Sequence, residues 1–434
     1  MATQDTTSHP SAIRAQPDLA TPTYTRPLAI VTTLFFMWGF LTSLNDILVP
    51  HLKSIFDLSY AQAMLVQFAF FSAYFLFSVP WAKAVNVIGY QRTMLAGLLT
   101  MAVGAFLFIP AASAASYPLF LTALIILAGG ITGLQVSANP YVVVLGKPQT
   151  ASSRLDLTQA FNSLGTTIGP QIGGLLILSA APLALEQLRH LAPQALQSYR
   201  IHEAASVKMP YAVIGVALLL LALLIGNSKL PAIETKRSGE QTSDTIWKHP
   251  SLTLAAIGLF LYVGAEVSIG SFLVNYFGLP EIRNLSAKAA AGFVSFYWGG
   301  AMIGRFLGAG ILRRAKAGHV LAFCAIAAAA LVTVSMLTGG SIAMWTILAV
   351  GLFNSIMFPT IFSLGEAELG PLTGSGSGLL NMAIVGGAIV PLLVGALADR
   401  FGLQHAFVIP VLCYVYIFYY GLRGSKPNSE RYAS

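Results

Sequence analysis

Long apolar runs alternate with short polar breaks along most of the chain. Twelve runs can be delimited: 28–51, 61–85, 92–112, 118–145, 154–180 and 209–228, then 251–278, 288–312, 318–337, 341–365, 372–398 and 403–422. Each reaches the roughly 20 residues that a helix needs to cross the hydrocarbon of a bilayer. Gly and Pro inside such runs are tolerated, because neighbouring helices re-satisfy the freed backbone groups. The fourth run is long, and a bend is expected at Pro140. Between the sixth and seventh runs lies a polar stretch, 229–250, with Lys229, Lys236, Arg237 and Lys248. It reads as a cytoplasmic linker between two halves. A second polar stretch, about 181–210, joins the fifth and sixth runs on the opposite side. The pattern predicts an all-α membrane protein with a first half at 28–228, the linker, a second half at 251–422, and tails at 1–27 and 423–434.

Composition agrees. Apolar residues make up 56% of the chain and charged ones 9%, against about 25% charged residues in soluble domains. The net charge of +8 does not point to nucleic acid, because the Lys and Arg residues sit between apolar runs, where membrane topology places them. With both termini inside, 17 of the 24 fall on the cytoplasmic side or at its helix ends. The other seven are Lys53, Arg189, Arg200, Lys208, Arg283, Lys288 and Arg400. That bias favours cytoplasmic termini. Cys324 and Cys413 each lie inside an apolar run, which does not support a disulfide framework or a Cys-rich metal site. The polar first 26 residues lack the apolar core of a signal peptide and read as a disordered cytoplasmic tail.

The halves repeat. GLQVSANPYVVVLG, Gly133 to Gly146, is similar to GLFNSIMFPTIFSLG, Gly351 to Gly365. Pro140 matches Pro359, each is followed six residues later by Gly, and each is preceded five residues earlier by an amide, Gln135 or Asn354. Asn162, Pro170 and Gly174 have looser counterparts in Asn381, Pro391 and Gly395. An offset of six helices keeps the orientation of each run, so this is a parallel repeat about the membrane normal, as in the major facilitator fold.

Polar groups inside the runs mark the candidate chemistry. Asp46 lies in the first run. An acid near the bilayer centre costs about 2.5–3.5 kcal/mol on insertion scales, so Asp46 must face protein or a water-filled cavity. At helical spacing Trp38, Thr42, Asn45 and Asp46 share one face. A ring, a hydroxyl, an amide and an acid on one wall suit a sugar and a cation. The alternative is a protonated Asp bonded to a neighbouring helix for structure. In the fourth run Gln135 and Asn139 share a face, and Pro140 leaves the Val136 carbonyl without its helical donor. In the fifth run Gln159, Asn162 and Thr166 form a stripe, while Gly165 and Gly169 permit close helix approach. These amides must meet each other or a ligand, because an unpaired one in hydrocarbon costs several kcal/mol. Glu266, with Tyr262 and Gly270 on its face of the seventh run, bonds substrate, carries a cation or pairs with a base. Arg154, Asp156, Glu366 and Glu368 lie at the cytoplasmic edge and read as gate or interface charges. Tyr297 and Trp298 read as packing or as a stacking surface. The chain has no phosphate loop, zinc-type His cluster or nucleophile elbow. An enzyme or a primary pump is not expected, and no cofactor beyond a coupling ion.

FFMWGFLTSLNDILVPHL, QVSANPYVVVLG, SSRLDLTQAFNSLG, YVGAEVSIGSFLVNYF and FPTIFSLG together resemble the fucose/galactose/glucose branch of the major facilitator superfamily, closest to its bacterial glucose/galactose transporters. The resemblance covers all twelve runs. It implies twelve helices in two six-helix bundles, a central cavity, and cation-coupled sugar uptake across a bacterial inner membrane. The family's acid on the first helix falls on Asp46, and its polar positions on the fourth and fifth helices fall on Gln135, Asn139, Gln159 and Asn162. The fucose-permease pattern carries Glu where this chain has Gln135; glucose/galactose members resemble this chain there. A neutral Gln135 cannot titrate, which leaves Asp46 as the first candidate for coupling H⁺ or Na⁺ and Glu266 as the second. The loop signature between the second and third helices is degraded, with Asn86 where an Asp is usual. The expected function is hexose/cation symport by a monomer, with Trp38, Asn45, Gln135, Asn139, Gln159 and Asn162 at the sugar. Its rivals are another sugar permease of the family, a multidrug exporter, and a receptor that binds sugar without moving it.

Overall fold

In the computed structural model, several of the short polar breaks between apolar runs become tight turns. The structure describes residues 24–56, 60–177, 191–231, 233, 245–367 and 369–425. The first half comprises α1 (Thr25–Phe56), α2 (Tyr60–Ile88), α3 (Tyr90–Ser113), α4 (Tyr117–Val144), α5 (Ala151–Ile177), α6 (Pro193–Ala205) and α7 (Lys208–Asn227). The second comprises α8 (Pro250–Phe277), α9 (Ala287–Ile311), α10 (Ala317–Leu337), α11 (Gly340–Asn354), α12 (Met357–Glu366), α13 (Thr373–Met382), α14 (Gly386–Phe401), α15 (Leu403–Ala406) and α16 (Val408–Tyr419). A single residue, Gly89, separates α2 from α3; its φ of +81° is left-handed, where a side chain would be strained. The tails, most of the linker and Glu368 lie outside the described residues.

The twelve-span, two-bundle architecture expected from the apolar runs is borne out. Among the described residues, ten segments are long and apolar enough to cross a membrane. The remaining two spans are α5 and α9, which carry Asp156, Gln159 and Asn162 on one side and Arg305 on the other. They pack against each other, and Arg305 donates to the Gln159 carbonyl and the Ser163 hydroxyl across that contact.

Proline acts differently in the two halves. α4 runs through Pro140 as one helix. The tenth run instead breaks into α11 and α12 at Ser355–Ile356, so that Pro359 falls in the first turn of α12, where a missing N–H removes no helical bond. The eleventh run is likewise interrupted, by a 3₁₀ turn at Ala383–Val385. The polar stretch after α5 holds a short helix, α6, that begins on Pro193, a favoured first helical residue.

In the first half α1 lies along α5, α2 along α4, and α3 along α4 and α7. In the second half α8 contacts α12, α14 and α16, while α11 contacts α9 and α10. A methyl group on Gly165 would run into the backbone of Phe36 and Phe40, and one on Gly169 into Phe40 and Ser43. Glycine lets α5 approach α1 as expected. A methyl on Gly386 would meet the Phe260 backbone in the same way, bringing α14 onto α8. The repeat therefore extends from sequence to packing.

Candidate functional site

A cavity of about 670 Å³ lies between the halves, and Trp38, Gln135, Gln159, Asn162, Glu266 and Arg305 are among its lining residues. This falls within the range of small-molecule sites, roughly 300–1,000 Å³. From α1 come Trp38, 5% exposed, and Thr42, whose hydroxyl donates to its own helix at the Trp38 carbonyl, 2.9 Å. Asn45 and Asp46 follow on the same helix, but their side chains lie outside the described residues. From α4, the Gln135 amide donates to the Tyr74 hydroxyl at 2.8 Å. From α5, Asn162 donates to the Phe35 carbonyl of α1 at 3.0 Å. Gln159 Nε2 donates to the side-chain amide oxygen of Asn139, Oδ1, at 3.4 Å, a long bond. Asn139 itself is fully buried behind Gln159 and is not on the cavity lining. It stands one helical turn beyond Gln135 and meets Gln159 of α5.

The opposite wall is built by α8 and α9. The Tyr262 hydroxyl lies 2.7 Å from Glu266 Oε1 and 3.0 Å from the Asn354 backbone carbonyl, its single proton facing both acceptors, and the Asn354 amide donates to the Tyr297 hydroxyl at 2.8 Å. Glu266 is thus held by a hydroxyl anchored where α11 ends. Trp298 faces the cavity, while Tyr297 is fully buried in the network behind it. Arg305 was not singled out in the sequence, although a base inside an apolar run is itself a signal. It reaches into the same cavity from α9. Among the described residues no group of three or more His, Cys, Asp or Glu side chains is placed to hold a metal.

This is a two-walled cavity at the seam of two repeated bundles, and residues 30–390 match the model of the Major Facilitator Superfamily. The chain belongs to that superfamily. It is 52% identical to a glucose/galactose transporter of Brucella abortus over 92% of this chain and 94% of the relative. It is 36% identical to the L-fucose-proton symporter of Escherichia coli over 91% of this chain and 92% of the relative. The crystal structure of the transporter FucP in the outward conformation superposes with a TM-score of 0.86 at 35% identity, covering 93% of this chain and 100% of that one.

In this superfamily member, cross-half hydrogen bonds gather at the end of the bundles where α4 turns into α5. Ser152 meets Ser363 at 2.6 Å, and Ser153 donates to the Ala309 carbonyl at 2.6 Å. Ser377 donates to the Val136 carbonyl at 2.9 Å, and Asn86 to Ser375 at 3.0 Å. Asp156 is fully buried against Gly308 of the other half. Among the described residues Arg154 makes no ion pair across this interface. Its guanidinium caps the end of α4 at the carbonyls of Val142 (3.2 Å), Val143 (2.7 Å) and Lys147 (2.8 Å), where a cation also meets the negative end of the helix dipole. The φ of +118° at Gly146 turns the chain there. The matching Gly365 serves close approach instead, since a methyl there would crowd Ala255 of α8.

Proposed function

We propose that this chain takes up a hexose of the glucose/galactose class by symport with a cation, through alternating exposure of the cavity between its halves. The observation that carries the reading is the lining: amides from α4 and α5 and an aromatic ring from α1 face an acid from α8 across about 670 Å³. Sugar hydroxyls are both donors and acceptors, and an amide offers both functions. An indole gives the apolar face of a pyranose something to stack on. The similar proteins named glucose/galactose transporter and L-fucose-proton symporter support the same class of cargo, and the second favours H⁺ over Na⁺ as the coupling ion.

In this reading Asp46 takes up the cation, and Glu266 is the second candidate. Asn45, Gln135, Gln159 and Asn162 bond sugar hydroxyls, Asn139 steadies Gln159 from behind, and Trp38 supplies the stacking surface. The protein works as a monomer in a bacterial inner membrane with both termini in the cytoplasm. Residues 28–228 then rock against 251–422, and the interlocked end of the bundles is the cytoplasmic one. The test is counterflow in proteoliposomes with a panel of sugars, with and without Na⁺. Transient accumulation of labelled glucose or galactose by vesicles preloaded with the same sugar is expected. Saturable binding without counterflow would leave a receptor, and inhibition by lipophilic cations without sugar exchange would leave a drug exporter.

A further inference from the structure

Pro140 and Pro359 occupy matching places in the repeat, and four residues before each lies a carbonyl without a helical donor: inside α4 because Pro140 has no N–H, and at the break between α11 and α12 before Pro359. Those carbonyls belong to Val136 and Ser355. Neither is left idle. Val136 accepts from the Ser377 hydroxyl at 2.9 Å, across the seam between the halves. Ser355 accepts from Arg305 Nε at 3.2 Å, within the second half. The same guanidinium then crosses the seam: its Nη1 donates to the Gln159 carbonyl at 3.2 Å and to the Ser163 hydroxyl, both on α5. Both proline sites therefore hold the halves together. One uses a neutral hydroxyl, and the other a cation that lines the cavity along with Glu266.

Separating the halves at this end breaks the two groups of bonds unequally. Gln159 and Ser163 leave with α5, while Ser355 stays with Arg305, since both belong to the second half. A guanidinium with an emptied nitrogen in a low-dielectric site needs a new acceptor. Glu266 lines the same cavity and also belongs to the second half. We propose that Arg305 is a two-position clamp: pinned on Ser355, it holds α5 when this end is closed and turns to Glu266 when it opens. Arg305 is then a positioning residue for the transport cycle, and this rests on the transporter reading given above. Glu266 in turn has a role apart from any contact with sugar: it stabilises the open state.

Two spin labels, at Gln149 and Ala315, report the opening by their separation in nanodiscs without sugar; both sites are exposed. Arg305→Gln should raise the ratio of long to short distances on the order of tenfold, because charge-assisted bonds to α5 are lost. Ser163→Ala removes one cross-seam acceptor and leaves the guanidinium in place; it should move the ratio the same way by a smaller factor. Glu266→Gln should move it the opposite way, toward closed. A merely structural role for Arg305 would lower the melting temperature without producing opposite shifts. Parent-like distances in both Arg305→Gln and Ser163→Ala would overturn the clamp, as would opening by Glu266→Gln. If Arg305→Gln does not fold, the other two variants decide the matter. Because no sugar is needed, failure of sugar counterflow would sink the functional reading and leave this distance result standing, and the converse also holds.

Discussion

The two halves use one scaffold for two kinds of chemistry. In both, a glycine lets the second helix of a pair touch its partner's backbone, Gly165 against α1 and Gly386 against α8. In both, a side chain takes the carbonyl four residues before the matched proline. The walls they turn to the cavity differ. The first half offers amides and an indole, held by neutral bonds such as Gln135 to Tyr74 and Asn162 to Phe35. The second half offers an acid and a base, Glu266 and Arg305. The packing glycines thus correspond between the halves and do the same work twice. The cavity positions diverged, so recognition by neutral groups and handling of charge fall on different walls.

If the packing is equivalent, Gly165→Leu and Gly386→Leu should each cost about 3 kcal/mol or more, as overpacking against backbone does at its upper end. Both should show in thermal melts. A half that tolerates the change would break the equivalence. If the chemistry is divided, Gln135→Ala and Asn162→Ala should weaken sugar binding by about 1–3 kcal/mol, roughly five- to 150-fold, as loss of a partner for a buried polar group does. Parent-like binding of glucose and galactose by both variants would make the amides structural. Glu266→Gln keeps an acceptor for Tyr262, so its effect on binding should be smaller, a few-fold, with gradient-driven accumulation retained. Loss of accumulation with intact binding would move the coupling role to Glu266. Smallest of all, Ser377→Ala removes the neutral cross-seam bond to Val136 and the 3.2 Å bond its hydroxyl accepts from Asn381, whose amide keeps the Ser377 carbonyl at 2.9 Å; it should change stability by about 1 kcal/mol. A larger drop in the melt would make the neutral latch the equal of the charged one.

Span positions were legible because membrane helices announce themselves by continuous apolarity, and the observed ends fall within a few residues of the predicted ones. The interruptions were less legible. Pro140 and Pro359 look alike in sequence, yet only the second run breaks, because Pro359 can serve as a first-turn residue of a new helix. The freed Val136 carbonyl was predictable, and its partner Ser377, 241 residues away, was not. Arg305 was counted with the bases at helix ends, a position from which long side chains usually reach the interface. Sequence gives its depth along the helix but not which neighbour that face meets. The same limit put Asn139 beside Gln135 as a cavity residue, whereas it is fully buried behind Gln159 of α5. Asn45 and Asp46 share a helix and, by spacing, a face with Trp38. Their chemistry is the part of the site that transport itself must test.

The measurement that bears most directly on cation-coupled uptake is paired transport by the parent and by Asp46→Asn in proteoliposomes. Accumulation of glucose or galactose is followed under an imposed H⁺ or Na⁺ gradient, beside counterflow without one. Coupling needs a group whose charge changes with the cation, because a ligand shifts a conformational equilibrium only through its differential affinity for the two states. A carboxylate provides that and an amide does not. The parent should accumulate sugar under one of the two gradients. Asp46→Asn should lose accumulation while keeping part of the counterflow, since Asn keeps the shape of a protonated Asp. Undiminished accumulation by Asp46→Asn would contradict the account, and no gradient-driven uptake by the parent would contradict symport itself.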